Sequence, residues 1–283
     1  MLNTAQKVIV VLGPTASGKS DFAVELALTC SGEIISADSR QLYKGLDIGT
    51  GKITEEEMKG VRHHMLSVYE LDEDVSVARF ARDASLIIDD ILSRNSTPII
   101  CGGTGQYIDA LIYDTQIPKV APNQKLREEL EKKPTDELFE ELTRCDLARA
   151  SFIDKHNRVR IIRALEIIAS LGKVPAQETP KLQYKTEIYL LDPTRELLRE
   201  RITTRLEKRL SQGMIEEVQN VMKKGYTSST MKKFGLEYVT IGKYLEGTLS
   251  VGEMREELVT KSMQYAKRQQ TWNKKYLSIA KII

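Results

Sequence analysis

Three clusters of residues in this chain have the types and spacing to do chemistry. Gly13-Pro14-Thr15-Ala16-Ser17-Gly18-Lys19-Ser20 fits the pattern G-x-x-x-x-G-K-[ST], in which backbone N–H groups converge on a polyphosphate. Lys19 adds a point charge, and the Ser20 hydroxyl is placed to ligate Mg²⁺. Asp38, followed by Ser39, Arg40 and Gln41, closes the apolar run Glu33–Ala37 with a carboxylate and three hydrogen-bonding side chains. Asp38 there can face a ligand crevice or cap the N-terminus of a helix, and the residues alone leave both roles open. Gly102-Gly103-Thr104-Gly105 follows Pro98–Cys101. It reads as a close backbone approach to a ligand or as a tight strand-to-helix turn.

These clusters need a frame that brings them together. Lys7–Leu12, Glu33–Ala37, Pro98–Cys101 and Glu187–Leu191 are short apolar runs, expected as strands of one parallel sheet. Between them Ala78–Arg94 places Phe80, Ala81, Ala84, Ile87, Ile88 and Ile91 at helical spacing. Alternating strand and helix predicts an α/β fold with a doubly wound parallel sheet, its ligands at the carboxyl ends of the strands. From Ile117-Pro118 to Thr179-Pro180 the chain turns rich in Glu, Lys, Leu and Arg without a strand pattern, which predicts a helical insertion. The expected division is a core of residues 1–115 and 184–283 and an insertion of residues 116–183. Long helical stretches are expected over about Arg195–Lys224 and Gly252–Tyr276.

Composition narrows the class. The 283 residues carry a formal charge of only +2, so any RNA contact must come from local basic clusters. Three scattered cysteines, Cys30, Cys101 and Cys145, suit buried thiols in a reducing compartment rather than disulfides or zinc. No apolar run reaches the length of a membrane span and no signal-peptide pattern opens the chain. A soluble cytoplasmic protein with no membrane contact is expected. On its own the phosphate loop would serve a nucleotide such as ATP. No apolar run ends in the aspartate of a typical ATPase metal site, however, and no Gln or Asp is evidently placed to activate water.

Taken in order, GPTASGKS, ISADSRQLYKGLDIGTGK, PIICGGTGQY, RALEI and YAKRQQTW resemble the tRNA dimethylallyltransferase (tRNA isopentenyltransferase) family over Val8 to Trp272. The resemblance implies a P-loop NTPase-like parallel-sheet core flanked by helices, with an α-helical insertion domain that binds tRNA. It implies transfer of a dimethylallyl group from dimethylallyl diphosphate to N6 of the adenosine 3′ of the anticodon, with Mg²⁺ as cofactor. The loop residues Gly13 to Ser20 would then hold the diphosphate leaving group. Asp38 would be the base near N6, with Lys19, Thr104 and Arg205 completing the catalytic set.

For tRNA the resemblance implicates Asp38, Ser39, Arg40, Gln41, Thr104, Arg127 and the segment Val159-Arg160-Ile161-Ile162-Arg163. Arg160 and Arg163, three apart, would share one helix face and neutralise neighbouring phosphates. To react, the adenosine must leave the anticodon-loop stack, and Gln41 could pair with a base edge. Arg201 and Arg205 match the family's R-I-x-x-R segment, although the same residues could form a solvated helix face paired with Glu196, Glu200 and Glu207. Lys267 and Arg268, near Trp272, each read equally as surface charges.

His63-His64 matches a family pair without an assigned role, and metal binding is not expected there. Two segments depart from the family pattern. Where the family has Gly-Thr-Ala-Lys followed by proline, this chain reads Gly49-Thr50-Gly51-Lys52-Ile53; the usual His-Pro-Asn-Asp lead-in is Asp154-Lys155-His156-Asn157. No C-terminal zinc finger of the eukaryotic kind is expected, and a bacterial-type enzyme is. No partner protein is implied, and a monomer is expected.

Overall fold

A computed structural model describes residues 7–114, 118, 120–175 and 180–283. Six strands, β1 (Lys7–Leu12), β2 (Gly32–Ser36), β3 (His63–His64), β4 (Thr97–Gly102), β5 (Lys185–Leu190) and β6 (Ala280–Ile282), form one sheet in the order β3-β2-β4-β1-β5-β6. All pairs are parallel, with Val10 of β1 aligned to Ile100 of β4 and to Ile188 of β5.

Burial of both faces explains why the central strands read as unbroken apolar runs. The period of two sorts their side chains: Val8, Val10, Leu12, Ile35 and Ile100 enter one core, Ile9, Val11, Ile34, Ile99 and Cys101 the other. The chain leaves β1 toward β2 and β4 on one side and later places β5 on the other. The crevice beyond the carboxyl end of β1 is thus the switch point where α/β sheets take ligands.

Twelve helices accompany the strands among the described residues. In the first half they are α1 (Lys19–Cys30), α2 (Glu55–Met58), α3 (Val77–Ser93) and α4 (Gly105–Ile112). Then follow α5 (Gln124–Leu130), α6 (Thr135–Cys145), α7 (Leu147–Ala150) and α8 (Arg158–Leu171). The last are α9 (Arg195–Ser211), α10 (Met214–Lys223), α11 (Leu236–Leu245) and α12 (Val251–Asn273). Side-chain caps set several starts: Ser76 accepts from the Arg79 N–H, Asn157 from the Arg160 N–H, and Ser250 forms a capping box with Glu253.

The chain divides into two compact units, Met1–Asp114 with Leu182–Ile283, and Thr115–Lys181. Within the first, Tyr113 bridges Leu182 and the Gln183 N–H donates to the Ile112 carbonyl at 2.9 Å, so the chain leaves and re-enters this unit side by side. The described part of the second unit holds α5–α8 and no strand, with its own core around Leu138, Leu142, Ile161 and Leu165. Ile117 and Thr179, which flank the sequence-based boundaries, lie outside the described residues.

Two features differ from the sequence expectation. The stretch from Arg195 to Lys224 is two helices, α9 and α10, separated at Gln212-Gly213. The sheet gains β3 and β6, of two and three residues, too short for an alternating pattern to register.

Candidate functional site

The loop Gly13–Ser20 runs from β1 into α1. Its backbone steps through the left-handed region at Ala16 (φ 63°) and Gly18 (φ 91°), which gathers successive N–H groups on one side. The Ser17 N–H donates to the Pro14 carbonyl at 3.2 Å, and the Lys19 ammonium reaches the same carbonyl at 3.2 Å. Arg201 of α9 donates to the Ser17 carbonyl at 2.9 Å, and Arg205 donates to Thr15 Oγ1 at 2.6 Å. Arg201 and Arg205 are therefore turned to the loop rather than spent on a solvated helix face.

The loop opens on a cavity of about 920 Å³ whose lining includes Lys19, Ser20, Lys52, Arg201, Arg205 and Arg209. Burial lowers the pKa of the Lys19 ammonium, and Arg205 and Arg209 lower it further against the pull of Asp38. Burial, with Arg209 beside it, pushes Arg205 down to about 9. These cations disfavour their own charge until an anion arrives. Ser20 is exposed and lines this cavity, with no side-chain hydrogen bond among the described residues, so its hydroxyl is free to ligate.

A second cavity of about 70 Å³ adjoins the loop, with Thr15, Lys19, Ser20, Asp38, Gln41 and His63 in its wall. Asp38 follows the end of β2 and its Oδ1 accepts the Arg40 N–H at 2.9 Å. The segment after it is turn rather than helix, which removes the helix-cap role and leaves an Asx turn. Thr104 stands beside it: its Oγ1 accepts the Ser39 N–H at 3.2 Å, and its own N–H donates to the Ala37 carbonyl at 3.2 Å. Tyr265 of α12 feels the same charge: burial followed by the Asp38 charge raises its phenol to about 12.

The glycines of the 102–105 turn do allow close approach, but what approaches is the protein itself. A Cβ at Gly102 would overlap the Ala37 carbonyl, at Gly103 the Gln269 amide, and at Gly105 the Trp272 indole. Gln269, 5% exposed, accepts the Thr15 N–H at 2.7 Å and donates to the Gly103 carbonyl at 2.9 Å. One side chain of α12 thereby ties the phosphate loop to the turn that carries Thr104. Gln269, Tyr265 and Arg209 were not singled out from the sequence. Glutamine carries no catalytic signature, and its partners lie 254 and 166 residues away.

The other residues expected near Asp38 are more constrained. Gln41 accepts from Ser36 Oγ at 3.0 Å and donates to the Gly51 carbonyl at 3.2 Å, so both ends of its amide are engaged. Arg40 donates to the Lys233 carbonyl. His64 shares Glu33 with Arg94, whose hydrogen bond is the main cause of a Glu33 pKa near 2, while His63 bonds the Val61 carbonyl. No cluster of His, Cys, Asp or Glu suited to a metal occurs among the described residues.

In the second unit the basic residues divide by role. Arg127 donates through Nε and Nη2 to the two Glu166 oxygens, each at 2.9 Å, and Arg163 bonds the same carboxylate and the Val120 carbonyl. Glu166 is 1% exposed, so both guanidiniums serve as counterions to a buried carboxylate. Ile161 and Ile162 are buried core residues, packed into the core of this unit rather than offered to a ligand. Val159 and Arg160 are exposed, and the Arg160 side chain makes no ion pair or hydrogen bond with a described residue.

A parallel sheet whose first strand feeds a phosphate loop at its switch point defines a phosphate-binding α/β protein of the P-loop class. The IPP transferase family model matches residues 41–276. The tRNA dimethylallyltransferase of Anoxybacillus flavithermus is 41% identical over 271 residues, covering 94% of this chain and 87% of that protein. That of Acetivibrio thermocellus is 40% identical over 277 residues, covering 95% and 88%. The crystal structure of the full-length tRNA isopentenylpyrophosphate transferase from Bacillus halodurans superposes with a TM-score of 0.73 at 33% identity, covering 98% of this chain and 89% of that one. A eukaryotic dimethylallyltransferase, caught acting on tRNA, gives a TM-score of 0.86 at 28% identity over 98% of this chain and 73% of its own. The chain belongs to the IPP transferase family.

Proposed function

We propose that the protein transfers the dimethylallyl group of dimethylallyl diphosphate to N6 of adenosine 37, 3′ of the anticodon, in tRNA, giving N6-isopentenyladenosine and diphosphate. The observation that carries this reading is one side chain: Gln269 ties the phosphate loop to the turn bearing Thr104, beside the Asp38 carboxylate. Leaving-group binding at the end of β1 and proton removal at the end of β2 then flank Thr104, which follows β4 between them. Membership of a family whose relatives are named for this reaction on tRNA supports it.

The carbon–oxygen bond at the allylic carbon breaks with its electron pair going to the diphosphate. The loop amides, Lys19 and Arg205 stabilise that growing charge. N6 attacks the same carbon, and its proton passes to Asp38, since the amine lone pair is delocalised into the ring and gains nucleophilicity as the proton leaves. Thr104 hydrogen-bonds the incoming base. An oxygen-only donor set with one protein hydroxyl suits Mg²⁺, which keeps most of its ligands from water and phosphate. Ser20 would hold it, and when bound it supplies further neutralisation of the diphosphate. Exposed Arg160 contributes to the tRNA-binding surface, and the enzyme acts as a cytoplasmic monomer.

The test uses Mg²⁺, labelled dimethylallyl diphosphate and either unmodified tRNA or AMP. Label in tRNA and none in AMP is the expected result; label in AMP alone, or in neither acceptor, refutes the reading. Asp38→Ala should reduce turnover by about 10²-fold or more while tRNA still binds, the loss typical of a missing general base. Near-normal turnover would remove Asp38 from that role.

A further inference from the structure

Arg209 lies one helical turn beyond Arg205 on α9, lines the large cavity, and makes no salt bridge among the described residues. Its hydrogen bond is a long one, 3.4 Å, to the Gly49 carbonyl. Glu237, whose charge acts on Arg209 most strongly among the carboxylates, forms no ion pair with it, and burial raises the Glu237 pKa. A guanidinium partly withdrawn from water and not ion-paired is costly unless a ligand supplies the charge.

The chain has made room for it. A Cβ at position 51 would overlap the Arg209 guanidinium, and Gly51 itself sits in the left-handed region at φ 61°. This is the position at which the sequence departs from the family's Gly-Thr-Ala-Lys segment. The 47–49 backbone beside it is pinned by Glu217, which accepts the Asp47, Ile48 and Gly49 N–H groups at 2.8, 2.8 and 2.9 Å. The loop therefore cannot drift away from the guanidinium without losing three charge-assisted bonds.

We propose that Arg209 is a second guanidinium for the diphosphate group, acting beside Arg205, and that Gly51 is the residue that admits it. This rests on the proposed prenyl transfer and adds a binding residue to it. Arg205 is fastened to the loop through Thr15, whereas Arg209 approaches from the side of the Gly49–Lys52 segment. Two guanidiniums from successive turns of one helix can engage different oxygens of a diphosphate, which a single phosphate would not require.

The experiment is calorimetric titration of inorganic diphosphate, at fixed Mg²⁺, into the intact protein and its R209Q, R209K, G51A and G51A/R209Q variants. R209Q is expected to weaken binding about tenfold or more, as loss of one charge-assisted contact does, with R209K intermediate. G51A is expected to weaken binding in the parent and to add nothing in the R209Q background, because the overlap is with the guanidinium. Thermal melts accompany each variant, and R209K, which keeps the charge, serves if R209Q fails to fold. Unchanged diphosphate affinity in folded R209Q or R209K, or an equal effect of G51A in both backgrounds, overturns the assignment. If that happens while the parent still prenylates tRNA, only the role of Arg209 falls. If the parent neither binds diphosphate nor transfers label, the proposed function falls with it.

Discussion

Replacing Glu166 with glutamine should unfasten the second unit, and the size of the effect follows from its surroundings. The carboxylate is 1% exposed and accepts from the Asn123 N–H at 2.6 Å, from two Arg127 nitrogens at 2.9 Å and from Arg163. Burial alone would raise its pKa, but the Arg127, Asn123 and Arg163 bonds outweigh burial and hold it at about 2, against 4.5 for a free glutamate. A shift of that size corresponds to roughly 3 kcal/mol in favour of the folded, ionised state. Arg127 and Arg163 remain 35% and 33% exposed and can rehydrate when the charge is lost. The expected cost of Glu166→Gln at pH 7 is therefore about 2 kcal/mol.

The sign of its pH dependence is fixed. The folded pKa lies below the unfolded one, so the unfolded chain binds more protons between the two. The stabilisation is complete above about pH 4.5 and is lost as pH falls toward 2. At pH 4 about 1 kcal/mol of it should already be gone in the parent, and the parent–variant gap should narrow by that amount. Hydrogen exchange of the α8 amides under native conditions, at several pH values, reads the local opening free energy directly. A gap below about 0.5 kcal/mol at pH 7, the scatter of ordinary surface substitutions, would refute the assignment of Arg127 and Arg163 as counterions. So would a gap that stays constant down to pH 4.

Two further outcomes test the division of labour. Arg160→Ala should weaken tRNA binding and lower the salt slope by about one, as expected for one phosphate contact. Arg163→Ala should instead destabilise α8, so equal salt slopes for the parent and Arg160→Ala would count against Arg160. Gln269→Met, which keeps the volume but leaves the Thr15 N–H and Gly103 carbonyl unpaired, should lower kcat about tenfold with a smaller effect on substrate KM, since the two halves of the site lose their tie. Gln269→Glu keeps the acceptor for Thr15 and should recover part of that loss. Kinetics of Gln269→Met indistinguishable from the parent would show that the loop is positioned without it.

The sheet was legible because its strands are continuous apolar runs. β1 coincides with the expected Lys7–Leu12, and the other three expected strands differ by a residue or two at their ends. The break at Gln212-Gly213 is masked in the sequence because both flanks keep a helical pattern, and burial on α10 resumes at Met214 and Val218. The phosphate loop, Asp38 and Thr104 were visible because each closes a strand at its carboxyl end. What was hidden is what joins them. Gln269 sits on a helix of strongly polar sequence and Arg209 among other cations of α9, and neither shows locally that it turns inward. The role of Arg163 did have a local sign, since Glu166 lies three residues on, the spacing at which helix side chains meet.

The two units use arginine in opposite ways, and one physical rule separates the uses. A guanidinium removed from water must be answered by an anion, or its burial costs stability. In the second unit Glu166 answers Arg127 and Arg163, so the charge balance is closed within the protein and removing any partner should appear as instability. Beside the phosphate loop, among the described residues, Arg205 hydrogen-bonds the Thr15 hydroxyl and Arg209 a distant carbonyl with no ion pair to either, while burial depresses the pKa of both and of Lys19. That balance is left open, and only a ligand of concentrated negative charge closes it. Such a cluster should therefore gain stability when diphosphate binds, whereas the Glu166 cluster should be indifferent to it. Sequence spacing marks Arg163 through Glu166 three residues on but gives Arg205 and Arg209 no such sign; what separates the two clusters is whether the guanidinium is ion-paired, as Arg127 and Arg163 are with Glu166, or is not, as with Arg205 and Arg209 among the described residues.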